Sequence, residues 1–410
     1  MRKILAALRG CLAASLVALS GHAVRAEQVH LTWFMWSGTE PEVVAWKHVA
    51  ELVTQKYPDI TVEFQTTSFP DYWTKLPALA AGGKLPDIVS LQSLRAPGFA
   101  ELMVPLDDRI KAEKFDIDAF DPSIIKGLSR NGRQFALPYD FGPWVIYYNH
   151  DMFMKAGLPL PAAAWTEADF MRDAKALTRD GNFGFAASAP DAFLVFARSK
   201  GAHYLDAKGQ LDLNNAGMKS AFAQYAALVS QDKVAPLLPA SGVQSSSVAN
   251  GRFTSGNVAM YVDGPWQLLN IRKKAGFTVG MAPMPLREAG NVTLSAGSGF
   301  GISITSKHQD DAWKAIQVMT GPDAERYLAE AGRAFAARRD FQKYWYEVAA
   351  VGVVGAHEAL PAALKAAEPY VTTPNWATMA ALFEQYAPLA FGGAEDAGKV
   401  LDTIQNLATQ

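Results

Sequence analysis

The chain has 410 residues, half of them hydrophobic and 19% charged, with a formal net charge of −2. That length is enough for two domains and a large buried core. The balanced charge argues against nucleic acid or an acidic lipid surface as the main partner.

Residues 1–26 read as an export signal. Arg2, Lys3 and Arg9 give a basic start, residues 12–19 a short apolar core, and Val24-Arg25-Ala26 a small-x-small cleavage site. The apolar run is too short to span a bilayer, and no later run is long enough. Cys11 precedes that core, where a lipid-modified cysteine would follow it. It is also the only cysteine, so the mature chain is expected to have no disulfide, thiol catalysis or cysteine metal ligand. These features point to a periplasmic protein beginning near Glu27.

Residues 31–36, rich in aromatics, predict a first strand ended by Ser37-Gly38. Val43, Trp46, Ala50, Val53 and Tyr57 recur at spacings of three and four and predict an amphipathic helix that Pro58-Asp59 stops. Ile60, Val62 and Phe64 alternate with polar residues as a strand. A helix over 71–81 ends at Gly82-Gly83, and Pro86-Asp87 opens a strand over 88–91. This β-α-β-α-β order is the pattern of a parallel, doubly wound sheet.

Asn131-Gly132 signals a hairpin turn. The extended stretches 135–138 and 144–149, bounded by prolines and Gly142, read as a crossing between two lobes. Thr166 and Asp169 have capping-box spacing, with Phe170, Ala174 and Leu177 following at helical spacing. A strand over 183–187, a helix over 216–230 and a polar linker over 241–247 come next. The apolar run 258–262 predicts a buried strand that Asp263-Gly264 breaks. Pro265 then stands where a helix begins without wasting a backbone donor. Trp266 falls in the first turn of that helix, at a strand's carboxyl end, where open α/β sheets collect ligands. The alternative is that it packs the helix onto the sheet. Residues 281–285 and the Gly-Ser run 295–301 read as a return crossing. Helices over 310–320, 322–331 and after Trp376 complete the chain, which has no internal repeat.

Several ordered blocks carry a resemblance: Gly83-Lys84-Leu85-Pro86-Asp87-Ile88-Val89, Ala136-Leu137-Pro138-Tyr139 leading to Tyr147-Tyr148-Asn149, Ala259-Met260 to Gly264-Pro265-Trp266, Gly299-Phe300-Gly301-Ile302, and Ala312-Trp313-Lys314-Ala315-Ile316 with Thr320-Gly321. Through them the chain resembles the extracellular solute-binding proteins of ABC importers, in the carbohydrate-binding family that includes maltose-binding protein. The resemblance implies an α/β periplasmic-binding-protein fold of two lobes, each a mostly parallel sheet flanked by helices, with a ligand cleft between them. One lobe would comprise residues 27–138 and 297–345, the other 139–296 and 346–410. Hinge strands are expected around 138–143 and 295–299, and a third crossing, without a motif, near 344–354. Carried over by position, the cleft would be lined by Trp36, Ser37 and Glu40, by Gln92, Ser93 and Arg95, and by Asp140 and Trp144. Trp266, Gly297, Ser298, Gly299 and Trp376 would complete it. The implied partners are a mono- or oligosaccharide and the permease of an ABC importer. The protein would be a monomer, with no cofactor, metal or nucleic acid.

The residue chemistry supports the same reading. A sugar offers apolar C–H faces and a ring of hydroxyls, which call for aromatic plates and for Asp, Asn, Gln or Arg partners. Trp36, Trp144, Trp266 and Trp376 all fall at predicted strand ends or helix starts, whereas Trp46 and Trp313 sit at helical spacing on apolar faces and belong to the core. Asp140 after Pro138-Tyr139 has local turn bonding as its competing role. An Arg95 or an Arg333 facing the cleft would add bidentate recognition of an anionic sugar. A periplasmic carbohydrate-active enzyme is the alternative. It would need a carboxylate pair flanking the bond, and no two acidic residues stand out as such a pair. The seven histidines are scattered singly, and no zinc, nucleophile-elbow or phosphate-loop motif occurs. Ferric-ion binding by Tyr147-Tyr148 is disfavoured, because neighbours on a strand point to opposite faces.

Overall fold

The computed structural model describes residues 28–238 and 244–410, so the export signal and residues 241–243 of the expected linker lie outside the described residues. The N-terminal alternation folds as β1 (Val29–Trp36), helix Glu40–Lys56, β2 (Ile60–Thr67), helix Phe69–Ala81 and β3 (Ile88–Gln92). β1 pairs in parallel with both β2 and β3. Its inward side chains build an aromatic core, with Trp33 packed edge-on against Trp46 at 5.8 Å and Phe300 at 5.2 Å. Trp46 and Trp313 are both essentially unexposed, as the helical spacing predicts.

The chain next forms β4 (Leu137–Pro143) and β5 (Val145–Asn149), then β6 (Met260–Asp263), β7 (Val279–Ala282), β8 (Thr293–Ile302) and β9 (Ala367–Pro369). The first sheet runs β9-β8-β3-β1-β2 with β4 paired to β8, and the second runs β6-β5-β7. The two-lobed α/β class is as read. Within the second sheet, however, β5 is antiparallel to both neighbours, where mostly parallel pairing was expected. The connection at Trp144 carries the chain directly from β4 in the first sheet to β5 in the second.

The crossings are held by backbone contact. β4 and β8 pair antiparallel from Leu137–Phe300 to Pro143–Ser295, with a bulge at Ser298/Gly299. Gly297 is required there, because a Cβ would lie 2.1 Å from the Asp140 carbonyl oxygen. In a third segment, Trp345 packs edge-on against Phe335 at 5.7 Å. Val354 then joins β7 through bonds of 3.0 Å to Val279 O and 2.8 Å from Met281 N.

Local signals translate well. Asn131 and Gly132 take φ of 52° and 74° between the paired segments Ser129–Arg130 and Arg133–Gln134. Thr166 and Asp169 form the capping box of helix Glu167–Leu177. Three readings need correction. Residues 183–187 make only single bridges, because Phe185 N–H turns away to Val234 O (3.0 Å) while Phe183 and Ala186 bond beside β6. Residues 245–247 are the start of helix Ser245–Thr254, not linker. The Glu384 carboxylate accepts the Ser245 N–H at 2.9 Å and so caps the helix through space. Residues 281–282 lie in β7 of the second sheet, so the return crossing is β8 alone. Helices Ala356–Ala366 and Ala397–Ala408 were not anticipated. No helix among the described residues is long and apolar enough to cross a membrane.

Candidate functional site

The strand-to-helix junction after β6 is tightly specified by its four residues. Asp263 Oδ1 accepts both the Gly264 N–H and the Trp266 Nε1–H at 2.8 Å. The indole therefore lies over Gly264, where a Cβ would come within 2.2–2.4 Å of three of its ring carbons. Gly264 has φ −101° and ψ 174°, extended backbone open to any residue, so the ring and not the backbone demands glycine. Trp144 meets Trp266 edge-on at 5.1 Å and 82°. The single indole donor is thus spent inside the protein, and Trp266 contributes its ring. Burial pushes the Asp263 carboxyl up to about 7; its two donors oppose the rise and Asp191 adds to it.

Trp266 lines a cavity of about 370 Å³ between the sheets, within the usual range for small-molecule sites. Trp36, Gln92, Asp140, Trp144, Gly297, Ser298 and Arg333, all named from sequence, line it too. Trp36 ends β1 and is braced edge-on by Phe69 at 5.6 Å and Tyr72 at 5.1 Å. Ser37 and Glu40 are not among the cavity's lining residues: the Ser37 hydroxyl donates to Thr39 O, and Glu40 is exposed at the first position of its helix. Ser93 lies on another face, where its hydroxyl oxygen accepts the Gly297 N–H at 3.2 Å, and Gly299 is buried in the β4–β8 ladder against Leu137 O.

Arg95 and Trp376 line a second cavity of about 580 Å³ that shares Ser188, Asp191, Gln244 and Ser246 with the first. Arg95 has no carboxylate partner: its guanidinium bonds Gln92 and lies 4.7 Å from the Trp73 ring and 5.1 Å from Phe69, and its buried Nε makes no hydrogen bond. Burial lowers its pKa to about 10, with Asp191 acting against the fall. Trp376 is 1% exposed and packs edge-on to Tyr370 at 5.3 Å, which makes it mainly a packing residue.

Arg333 is likewise occupied. Its Nε lies 3.0 Å from Glu42 Oε1 and its Nη1 3.4 Å from Asp140 Oδ2. Four carboxylates line the first cavity (Glu42, Asp140, Asp191 and Asp263) against two cations, Lys274 and Arg333. Residues missed from sequence include Thr39, Asp191, Asn250, Gln267 and Asn270. Gln267 and Asn270 had a usable signal, polar side chains one and four positions after Trp266, in the 3-10 turn Pro265–Gln267 and the helix Leu268–Lys274 that continues it. Asp191 and Asn250 had none, because their helices reach the cleft only through tertiary packing. Thr39 Oγ1 and Asn270 Oδ1 meet at 2.7 Å across the cleft mouth. Tyr147 and Tyr148 are both buried, and the Tyr147 hydroxyl donates to Gly264 O at 3.1 Å.

Comparison with known proteins agrees with this architecture. The description "Bacterial extracellular solute-binding protein" matches residues 37–326. A lactose-binding protein of Rhizobium radiobacter is 26% identical over 306 residues, 71% of each chain. An arabinooligosaccharide-binding protein of Bacillus subtilis is 24% identical over 309 residues, 72% of this chain and 70% of that one. Among solved structures, the ABC substrate-binding protein Lmo0181 from Listeria monocytogenes, in complex with cycloalternan, shares the fold with a TM-score of 0.83 at 22% identity. The alignment covers 93% of this chain and 98% of that one. Maltose-bound MalE3 of T. maritima gives a TM-score of 0.79 at 21% identity, over 93% and 99%. With a family match spanning residues 37–326 and a two-lobed fold around a lined cleft, this chain belongs to the bacterial extracellular solute-binding protein family.

Proposed function

We propose that the protein is the periplasmic binding component of an ABC importer, capturing a neutral carbohydrate between its lobes and handing it to the membrane permease. The observation that carries this reading is the cavity itself, where the Trp266 ring, braced by Trp144, stands among Gln92, Asp140, Gln267 and Asn270. An aromatic plate suits the C–H face of a sugar, and the carboxylates and amides suit its hydroxyls. The relatives from Rhizobium radiobacter and Bacillus subtilis are binding proteins for lactose and arabinooligosaccharide, which supports a binder over a carbohydrate-active enzyme. The adjoining cavity gives room for more than one sugar ring. Arg333 is already paired with Glu42 and Asp140, and carboxylates outnumber cations around the first cavity. An anionic sugar would meet net repulsion there.

Binding would shift an open–closed equilibrium, since groups from both lobes line the cavity. Micromolar affinity corresponds to about −8 kcal/mol, which stacking and several satisfied hydroxyl bonds can supply. Export to the periplasm with cleavage near Ala26, the lobe boundaries at 138/139, 296/297 and 345/346, and a monomeric state belong to the same proposal. A thermal-shift screen over neutral mono-, di- and trisaccharides and the matching uronic acids tests it, because ligand raises the midpoint by mass action. Neutral oligosaccharides should stabilise most. Stronger stabilisation by uronates, or sustained product release on incubation, would overturn the reading.

A further inference from the structure

Arg333 does more than line the cleft. Residues 335–337 run beside β4, with Phe141 N–H bonding Phe335 O at 3.2 Å and Ala337 N–H bonding Tyr139 O at 3.4 Å. Gly332, at φ +73°, makes the preceding turn. This pairing brings the Arg333 guanidinium back over β4, 4.7 Å from the Trp46 ring and between Glu42 and Asp140. Arg333 and Asp140 are each 3% exposed and Glu42 is 6% exposed. One buried cation therefore serves two buried carboxylates. The second oxygen of Glu42 accepts the Gly38 N–H at 2.6 Å. The second oxygen of Asp140, Oδ1, is buried with no well-formed hydrogen bond, although Ser298 lies beside the carboxyl across the ladder, and Asp140 lines the cavity. An unpaired buried oxygen on a charged group is costly, and the cost is removed when a donor arrives.

We propose that Arg333 is a positioning residue: clamped by Glu42 and stacked on Trp46, it holds the Asp140 carboxylate so that Oδ1 accepts a hydrogen bond from a hydroxyl of the bound carbohydrate. This role rests on the carbohydrate reading of the cleft. Facing Asp140 are Tyr139 on its own strand, Ser298 across the ladder on β8, Glu42 from helix Glu40–Lys56, Arg333, and Glu325 from helix Pro322–Glu330. Burial pushes the Asp140 carboxyl up to about 6, while Arg333 and Ser298 pull it down. A hydroxyl donor favours the ionised form, so binding takes the proton off. Affinity is then full above that pKa and weakens as pH falls through it, toward tenfold per unit.

The test has a sugar-free arm and a sugar arm. In protein labelled with carboxyl-carbon-13 aspartate, the Asp140 resonance is assigned by its loss in Asp140→Asn and titrated in the wild type, Arg333→Lys and Arg333→Met. Removing the cation should raise the Asp140 titration by about a unit or more, and Arg333→Lys, which keeps the charge, should raise it less. Lactose and arabinotriose are then titrated calorimetrically from about pH 5 to about pH 8.5. Wild-type affinity should fall on the acid side, whereas Asp140→Asn, which replaces a carboxylate that burial disfavours and is therefore expected to fold, should bind weakly and without that break. An Asp140 titration unmoved in Arg333→Met overturns the clamp. If that variant does not fold, an unmoved titration in Arg333→Lys together with identical pH profiles for wild type and Asp140→Asn does the same. Failure of both sugars to bind at any pH counts against the carbohydrate reading, while the carbon-13 titration still decides the clamp.

Discussion

The Trp266 ring makes position 264 a glycine, and substituting alanine there puts this to the test. An added Cβ would lie 2.2–2.4 Å from three carbons of the indole, against an ordinary carbon–carbon separation of about 3.5–4.0 Å. The ring must move by about 1 Å or more, and the 2.8 Å bond from Nε1 to Asp263 cannot survive that displacement. Overpacking costs about 1–3 kcal/mol and loss of a hydrogen bond to a charged group about 1.5–3 kcal/mol. Partial relaxation makes the sum smaller, so Gly264→Ala should destabilise by about 2–3 kcal/mol. The backbone at Gly264 is extended, so in a Trp266→Ala background the same substitution should cost nothing, or gain about 0.4–1 kcal/mol from the stiffer unfolded chain. Urea unfolding followed by circular dichroism on the wild type, both single variants and the double variant yields the coupling energy. An equal cost of Gly264→Ala in both backgrounds would refute the idea that the indole sets the residue.

Trp266→Ala alone should weaken binding of the best oligosaccharide from the thermal-shift screen by about tenfold or more, read by calorimetry, with the fold retained because Trp266 is only half-buried. The raised Asp263 carboxyl predicts a pH-dependent stability. A carboxyl titrating at about 7 when folded and near 3.9 unfolded contributes stability that is fully present below the unfolded pKa and lost as pH rises through the folded one. Asp263→Asn keeps an acceptor oxygen and stays neutral, so its melting temperature should gain on the wild type as pH rises from about 4 to about 7 and level off above that; a constant difference would count against the assignment. Thr166→Ala removes the capping box of helix Glu167–Leu177 and should cost about 1 kcal/mol in denaturant midpoint, without changing ligand affinity.

Where structure depends on neighbours in the chain, the sequence was sufficient. The alternation of apolar residues in β2, the spacing in helix Glu40–Lys56, the Asn131-Gly132 turn and the Thr166–Asp169 box are all settled within a few residues, and all form as read. The Asp263-Gly264-Pro265-Trp266 junction also belongs here, since one carboxylate binds donors one and three positions later. The ordered motif blocks extended this local reading to the family, because together they span both lobes.

Only the tertiary structure decided which polar groups remain available in the cleft. Arg95 and Arg333 looked in sequence like candidate anion receptors. Folding places one on Trp73 and Gln92 and the other between Glu42 and Asp140, both remote from it in the chain. Asp191 and Asn250 reach the cavity from helices with no local mark of it, and Ser245 has its cap from Glu384 on the C-terminal side of the fold. Hydrogen bonding within a turn or helix cap is set by adjacent residues. The pairing of a buried charge is set by whatever the packing brings within about 4 Å, and that distance is written nowhere in the order of the chain.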